Sequence, residues 1–587
     1  MKPTVVFVTF ESEFSSYGGL GAVMNVLPSA MSESGPCCVM TPLFDSFIDL
    51  DSLKKAGKVQ RFSSVLAFSL LIRGQSYPVE VIEAINAKGL CTYFISSDDF
   101  FTAPNNPYTN PCNPAFPLDP YRNPINPDKL TEDALFFSLA VPTTIVELSK
   151  DGKIPGRDFL FHLQDWETAA VAQALKVVNT SPALRSTRCV LTIHNPYDKA
   201  VHDMSSARAR DCAAQLGLQQ HRSFLEQVIP ILDAPVSTVS RNFAHELQNE
   251  VLHTQIFCPH LQKFFKQNGL IGIDNGIFGN AAFPFSDEAL TLALQGNFHP
   301  LQKEKWERRR KLADVMNGSQ QHLLEGGASW GELLDLSDPV IPVFFVLGRD
   351  DPRQKGYDVI VEAIHALPKG QARFIFTPMP GDEGLIGLKF LEDLARQRPG
   401  EVQVFPFRLD ESVFHAVQQG CSFLVMGSLY EPFGAATEAY SAGMPVVARA
   451  TGGLVQQVAP HAECWQSDRV LGAYGREFVK RYYHPDEAPT GILFREQAAF
   501  ADEVEGWRRI VDCGYWNTNP KGDRIVDRRS LTLFHSMAKS AANALQLAID
   551  VYRDQEQYAA MIYHGWALLK QFQWDNTIRR YQTELYQ

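Results

Sequence analysis

The sequence has no CxxC pair among its ten cysteines, which are scattered from Cys37 to Cys513. Zinc-ribbon and thioredoxin-type chemistry therefore lack their ligand spacing. Several of these cysteines sit in apolar runs and read as buried free thiols of a reducing compartment. No apolar run is long enough to span a bilayer. The opening run, Thr4 to Phe10, is too short for a secretory signal and is soon followed by acids, so a cytoplasmic location is expected. Positive charge is in deficit: 54 Lys and Arg against 66 Asp and Glu leave a net charge of −12. A surface of that sign repels phosphate backbones and anionic lipid, which makes nucleic acid and membranes poor partners. A local basic cleft for a diphosphate is still compatible with it. Short-period repeats and low-complexity tracts are absent as well.

What is present is length, 587 residues, and a recurring strand–loop–helix rhythm. That length suits two α/β domains or three smaller units. Thr4 to Phe10 reads as a strand buried on both faces, Tyr17-Gly18-Gly19-Leu20-Gly21 as a glycine turn, and Ala22 to Met31 as a helix. The β–α alternation continues through Ser34 to Pro42, Arg157 to Leu163 and Arg188 to Ile193, which points to a parallel sheet. Residues 103 to 128 are rich in Pro and Asn and read as a long, irregular loop. Asp287 to Trp330 reads as helical and charged. A second α/β series follows, with strands expected at Val340 to Leu347, Ala372 to Thr377, Val402 to Pro406 and Ser422 to Met426. The expected division is residues 1–275, residues 276–560, and a helical aromatic tail, 561–587, with a hinge near Gly276.

Ligands of doubly wound sheets bind beyond the carboxyl ends of the strands, and that rule selects the candidate residues. Arg349 and Lys355 follow the strand ending at Leu347, and two fixed cations there suit a diphosphate. Taken alone, they read more readily as a pair of exposed surface cations. Glu431-Pro432-Phe433-Gly434 lies between an apolar strand and a helix, Ala435 to Ala442. Gly434 permits close backbone approach, the helix start offers free N–H groups, and Glu431 offers a carboxylate to sugar hydroxyls. Thr451-Gly452-Gly453 is a further strand-end turn whose amides a donor could reach. In the first half, Gly18 and Gly19, Asp165 with Trp166, and His194 hold the matching positions. A carboxylate and an indole at 165–166 suit sugar hydroxyls and stacking. Read singly, a helix cap or a tight turn explains the glycine and Glu431 positions as well, and a lone histidine at a strand end is more often a satisfied structural residue.

The order of these segments resembles that of the starch and glycogen synthase family. Tyr17-Gly18-Gly19-Leu20-Gly21 is similar to that family's K-T-G-G-L loop, and His162-Leu163-Gln164-Asp165-Trp166 to H-x-H-D-W. Thr192-Ile193-His194-Asn195 resembles T-x-H-N, and Asn275-Gly276-Ile277 resembles N-G-I-D. The second half adds Arg349 with Lys355-Gly356, Glu431-Pro432-Phe433-Gly434, Arg449-Ala450-Thr451-Gly452-Gly453-Leu454 and Thr490-Gly491-Ile492-Leu493-Phe494. The resemblance implies a GT-B fold: two doubly wound Rossmann-like domains facing an interdomain cleft that holds a nucleotide-sugar donor. It implies a retaining hexosyltransferase that needs no metal and no cofactor, with ADP-glucose or UDP-glucose as donor and a carbohydrate acceptor. By likeness, Arg349 and Lys355 bind the diphosphate, Glu431 holds the transferred sugar, and Asp165, His194 and Asn275 line the sugar pocket. Tyr108 matches a tyrosine of the family's G-x-P-Y segment, and the tail around Trp574 and Tyr581 crosses back to the first domain.

The sequence also departs from the family. Ser16 stands where the family has a lysine, Phe278 replaces the aspartate of N-G-I-D, and Phe433 replaces the cysteine of E-P-C-G. The segment after Gly434 is one residue short. Three functions remain open at this level: an α-glucan glucosyltransferase, a retaining transferase for a small acceptor, and a non-catalytic carbohydrate-binding protein. Replacing Arg349 or Lys355 by Ala is expected to lower turnover by roughly 10²–10³-fold. Full activity in both variants would remove the diphosphate assignment.

Overall fold

The computed structural model describes residues 2–16, 18–44, 48–101, 128–178, 183–200, 204–318, 329–380, 384–497, 500, 503–513 and 528–587. The chain divides into two compact units. The first comprises Met1–Gln248, Phe257–Phe278 and Trp574–Gln587; the second comprises Asn249–Ile256 and Gly279–Gln573. Residues 561–573 thus belong to the second unit, and the returning segment begins at Trp574.

The first unit is built on a nine-stranded sheet in the order β3-β4-β5-β2-β1-β6-β7-β8-β9. Its strands are β1 (Thr4–Val8), β2 (Cys37–Pro42), β3 (Val59–Ile72), β4 (Gln75–Asn86), β5 (Cys91–Ser96), β6 (Asp158–Gln164), β7 (Ser186–Ile193), β8 (Val236–Thr238) and β9 (Leu270–Gly272). From β5 to β9 all neighbours are parallel, and every residue of β1 is buried, as expected of a strand covered on both faces. The β3–β4 hairpin is antiparallel, as is the β4–β5 pair, so the sheet is mixed rather than wholly parallel. The hairpin turns through Arg73-Gly74, both at positive φ, the geometry that matches the twist of two paired strands.

The C-terminal segment closes this unit. Ile578, Tyr581 and Leu585 join the apolar cluster formed by β1 and the helix Gly19–Ser32. The His162 ring, fully buried on β6, pairs through Nδ1 with the Tyr586 hydroxyl at 2.8 Å and through Nε2 with Thr192 Oγ1 at 2.7 Å. Trp574 donates from Nε1 to the Ile277 carbonyl at 2.8 Å and lies flat over Gly276. Phe278, at the aspartate position of the family motif, packs on the same indole.

The second unit carries a six-stranded parallel sheet in the order β12-β11-β10-β13-β14-β15. The strands are β10 (Val343–Arg349), β11 (Arg373–Met379), β12 (Val402–Val404), β13 (Phe423–Met426), β14 (Val446–Arg449) and β15 (Gly491–Phe494). Counted from β10 this is 3-2-1-4-5-6, the dinucleotide-binding order, with its switch point between β10 and β13. The charged stretch before β10 forms the helices Asp287–Ala293 and His299–Gly318. Trp330, expected to be helical, instead pairs its backbone with Val404.

Gly276 is buried beneath an indole, and a Cβ there would overlap the Trp574 ring. Gly276→Ala is therefore expected to destabilise the first unit by about 1–3 kcal/mol, as overpacking does. Chemical denaturation followed by tryptophan fluorescence measures it, and an unchanged midpoint would contradict this packing.

Candidate active site

Arg349 ends β10, and the chain then turns through Asp350–Lys355 into the helix Tyr357–Ala366. Gly356 caps that helix in the left-handed region, where its backbone rests on the Gly427 carbonyl so closely that a Cβ would overlap it. Tyr357 donates from its hydroxyl to the Gly348 carbonyl at 2.8 Å. These contacts aim the helix start and Lys355 at the switch point. On the other side of that point, β13 runs into the turn bearing Glu431. Lys355 Nζ lies 2.7 Å from Glu431 Oε2, and the Ser428 hydroxyl donates to the same oxygen at 2.9 Å. Among the described residues no hydrogen bond reaches Glu431 Oε1. The lysine and glutamate side chains keep only 19% and 10% of their exposure, so the pair feels a reduced dielectric and stays rigid.

The turn of Glu431 leans on a second turn. The Gly453 N–H donates to the Glu431 carbonyl at 3.0 Å. Gly452 sits at φ +49°, and a Cβ there would overlap that same carbonyl; one on Gly453 would overlap the backbone of Phe433. Thr451, Gly452 and Gly453 are all buried. The paired glycines were expected to offer amides to a donor. Their observed work is to let one turn lie against another, and the Gly453 amide is already committed. Gly434, at φ +95°, fits beside Leu454 and the Glu431 side chain and leads into the short helix Ala436–Ser441. Phe433, at the cysteine position of the family motif, is buried against Phe572.

Behind these turns runs a chain of buried charges. Arg449 grips Glu496 through Nε and Nη2 and donates from Nη1 to the Leu429 carbonyl at 2.6 Å. Arg495 lies 3.5 Å from Glu496 and 2.7 Å from Glu250, whose carboxylate also accepts from the Tyr474 hydroxyl. Burial alone would raise the Glu496 carboxyl, but Arg449 and Arg495 together hold it below the usual value. His253 packs edge-on to Tyr430, and burial, with Arg449 and Arg495 nearby, pushes its pKa down to about 3.

In the first unit the switch point lies between β1 and β6, and three carboxyl-end groups meet there. Asp165 takes φ +60°, a strained choice for a residue with a side chain. Its carboxylate accepts from the His194 N–H at 2.5 Å and from Asn195 Nδ2 at 3.2 Å, which fixes the ends of β6 and β7 to each other. His194 Nε2 meets Gln164 Oε1 at 2.7 Å, and burial pushes the ring's pKa down to about 3, so it is neutral at pH 7. Glu11, just beyond β1, accepts from the N–H groups of Gly18 and Gly21 at 2.9 Å each. That carboxylate caps the helix Gly19–Ser32 and takes up the Gly18 amide. Gly19 and Ser16 are exposed, and Ser16 brings no charge to this loop. Burial first, and the Glu11 charge after it, raise the Asp165 carboxyl to about 7. Asn275, after β9, is 2% exposed, and its Oδ1 has no protein donor among the described residues.

Two sugar-pocket expectations fare differently. Trp166 is 4% exposed and stacks on Phe224 with ring centroids 5.7 Å apart. Its indole serves the core, which corrects the expectation that it offers a stacking face to a sugar. Tyr108 lies outside the described residues, as does Tyr17. The motif reading missed Glu11, Gln164, Ser428 and Glu438. Glu438 follows the Glu431 turn, and burial, with the Glu431 charge added, raises its carboxyl to about 7. For Glu11 and Glu438 the available signal was an acid next to a glycine turn at a strand's carboxyl end.

Residues 4–264 match the starch synthase catalytic domain, and residues 307–481 match the family 4 glycosyltransferase in conflict systems. The glycogen synthase of Dechloromonas aromatica is 24% identical over 488 residues, covering 80% of this chain and 87% of that protein. Glycogen synthase 2 of Nitrosococcus oceani is 24% identical over 543 residues, 88% of this chain and 95% of its own. The catalytic domain of starch synthase IV from Arabidopsis thaliana, solved bound to ADP and acarbose, is similar in fold with a TM-score of 0.61. It is 17% identical and covers 99% of this chain and 100% of that one.

Because the folded Asp165 carboxyl holds its proton to a higher pH than an unfolded one, the folded state binds more protons from about pH 4 to 7. Stability therefore falls as pH rises through that window. Asp165→Asn, which tolerates the same backbone, should flatten this part of the stability–pH curve. Melting temperatures from pH 4 to 8 test it; identical slopes in both proteins would contradict the raised carboxyl.

Proposed function

We propose that this chain, a GT-B glycosyltransferase of the starch and glycogen synthase family, transfers glucose from a nucleotide diphosphate sugar to an α-glucan, with ADP-glucose or UDP-glucose as donor. One observation carries the proposal: the Lys355–Glu431 pair, 2.7 Å apart at the switch point of a 3-2-1-4-5-6 sheet, beside the start of the helix Tyr357–Ala366.

Cleavage of the bond between sugar and phosphate builds negative charge on the departing diphosphate. Lys355 is held in place before any ligand arrives, so its charge need not reorganise as the bond breaks. Arg349, at the end of β10, adds a second cation on the same side, and the helix start adds N–H groups. Glu431 works in two directions: through Oε2 it orients Lys355, and through Oε1 it accepts from a sugar hydroxyl. In the first unit, Asp165 and neutral His194 offer fixed acceptors and donors to carbohydrate hydroxyls, and Asn275 Oδ1 gains the donor it lacks. The reaction then relies on positioning and charge stabilisation.

Incubation with ADP-glucose or UDP-glucose labelled in the sugar, with glycogen as acceptor, tests the reading. Label from one donor should enter polymer that precipitates in alcohol and is released by α-amylase. Nucleotide release with the label appearing as free glucose would mean that water is accepted in place of glycogen and would favour a small acceptor, and no release from either donor would end the enzymatic reading.

A further inference from the structure

Among the described residues the two largest fully buried side chains are arginines, Arg449 and Arg528. Arg449 reaches the Leu429 carbonyl beside Glu431. Arg528 belongs to no motif of the site, and its bonds have a definite pattern. It opens the short 3₁₀ segment Arg528–Ser530, and Nε and Nη2 grip both oxygens of Asp358. Its Nη1 donates to the Pro352 carbonyl at 2.7 Å and to the Ile510 carbonyl at 3.2 Å. Pro352 lies three residues before Lys355, and Asp358 three residues after it. One guanidinium therefore ties down both flanks of the segment that carries the lysine.

We propose that Arg528 is a positioning residue for the diphosphate site, holding the turn Asp350–Lys355 against the helix that follows it. The proposal rests on the reading of Lys355 as a diphosphate ligand. A charge buried at 1% exposure is a poor way to fill space, because its desolvation is repaid only by a complete set of partners. A planar fork can grip both oxygens of a carboxylate and still reach two carbonyls, four acceptors in all, where a lysine has only three N–H groups and no fixed fork. The turn has other ties as well: Asp350 N–H bonds to the Met379 carbonyl at the end of β11, Lys355 N–H to the Asp351 carbonyl, and Leu429 N–H to the Gln354 carbonyl. Arg528 supplies the anchor from behind. It acts through Lys355, and its own polar atoms are spent on protein partners.

The test is a double-mutant cycle on the full chain, reading calorimetric affinity for ADP and for UDP. Arg528→Lys should weaken the nucleotide that binds the unmodified protein by about tenfold, while the protein stays folded at the assay temperature by circular dichroism. In a Lys355→Ala background, Arg528→Lys should have almost no further effect. Asp358→Asn, which keeps the shape and one acceptor oxygen, should shift affinity in the same direction and serves if the lysine variant does not fold. A full, additive loss in the Lys355→Ala background, or unchanged affinity in both Arg528→Lys and Asp358→Asn, overturns the proposal. If Lys355→Ala itself binds as tightly as the unmodified protein, the diphosphate assignment fails, and the proposal fails with it.

Discussion

The turn that carries Glu431 can exist only because a second turn lies directly against it. Its carbonyl occupies the space where any residue at 452 other than glycine would place a Cβ, and the next amide, Gly453, bonds to it. That contact sets the carboxylate at the end of β13. The same close approach recurs at Gly356 on Gly427, which sets Lys355 at the end of β10. The 2.7 Å pair of Lys355 and Glu431 follows from these two backbone contacts rather than from the attraction of the charges. A surface lysine and glutamate would gain little by meeting. Here the backbone brings them together, and the reduced exposure keeps them there.

Charge is treated differently in the two units. In the second, buried arginines stand behind the site, each matched by a carboxylate: Arg449 with Glu496, Arg495 with Glu250, Arg528 with Asp358. The cations at the front, Arg349 and Lys355, are half-buried. In the first unit the balance leans negative. Glu11 and Asp165 lie close enough for one to disturb the ionisation of the other, and the position that is lysine in the family is Ser16. A loop with that composition suits hydroxyl donors of a carbohydrate better than phosphate.

Much of this was legible in the sequence because strand ends are legible. An apolar run followed by a charged or glycine turn marks β6, β7, β10, β13 and β14, and at their carboxyl ends or in the turns that follow stand Asp165, His194, Arg349, Glu431 and Thr451. The β3–β4 hairpin escaped the α/β reading although Arg73-Gly74 between alternating strands is a turn signal, because the parallel rhythm on either side dominated. Trp166 was misread because the sequence does not say which face of a short helix is covered; Phe224, far along the chain, covers it. The glycines at 452 and 453 were read as openings for a ligand, and only their three-dimensional neighbours show that another turn fills that space. Arg528 could not be found at all from the sequence, since Asp358 and Pro352, its partners, lie about 170 positions away.

The central claim is that the ends of β10 and β13 form the nucleotide diphosphate site. Amide hydrogen exchange with and without saturating ADP or UDP tests it most directly, since it reads backbone protection residue by residue. The account predicts slowed exchange in the segments around Lys355 to Asp358 and Glu431 to Ala439 with one of the two nucleotides. Binding that protects other segments and leaves both of these unchanged would contradict it.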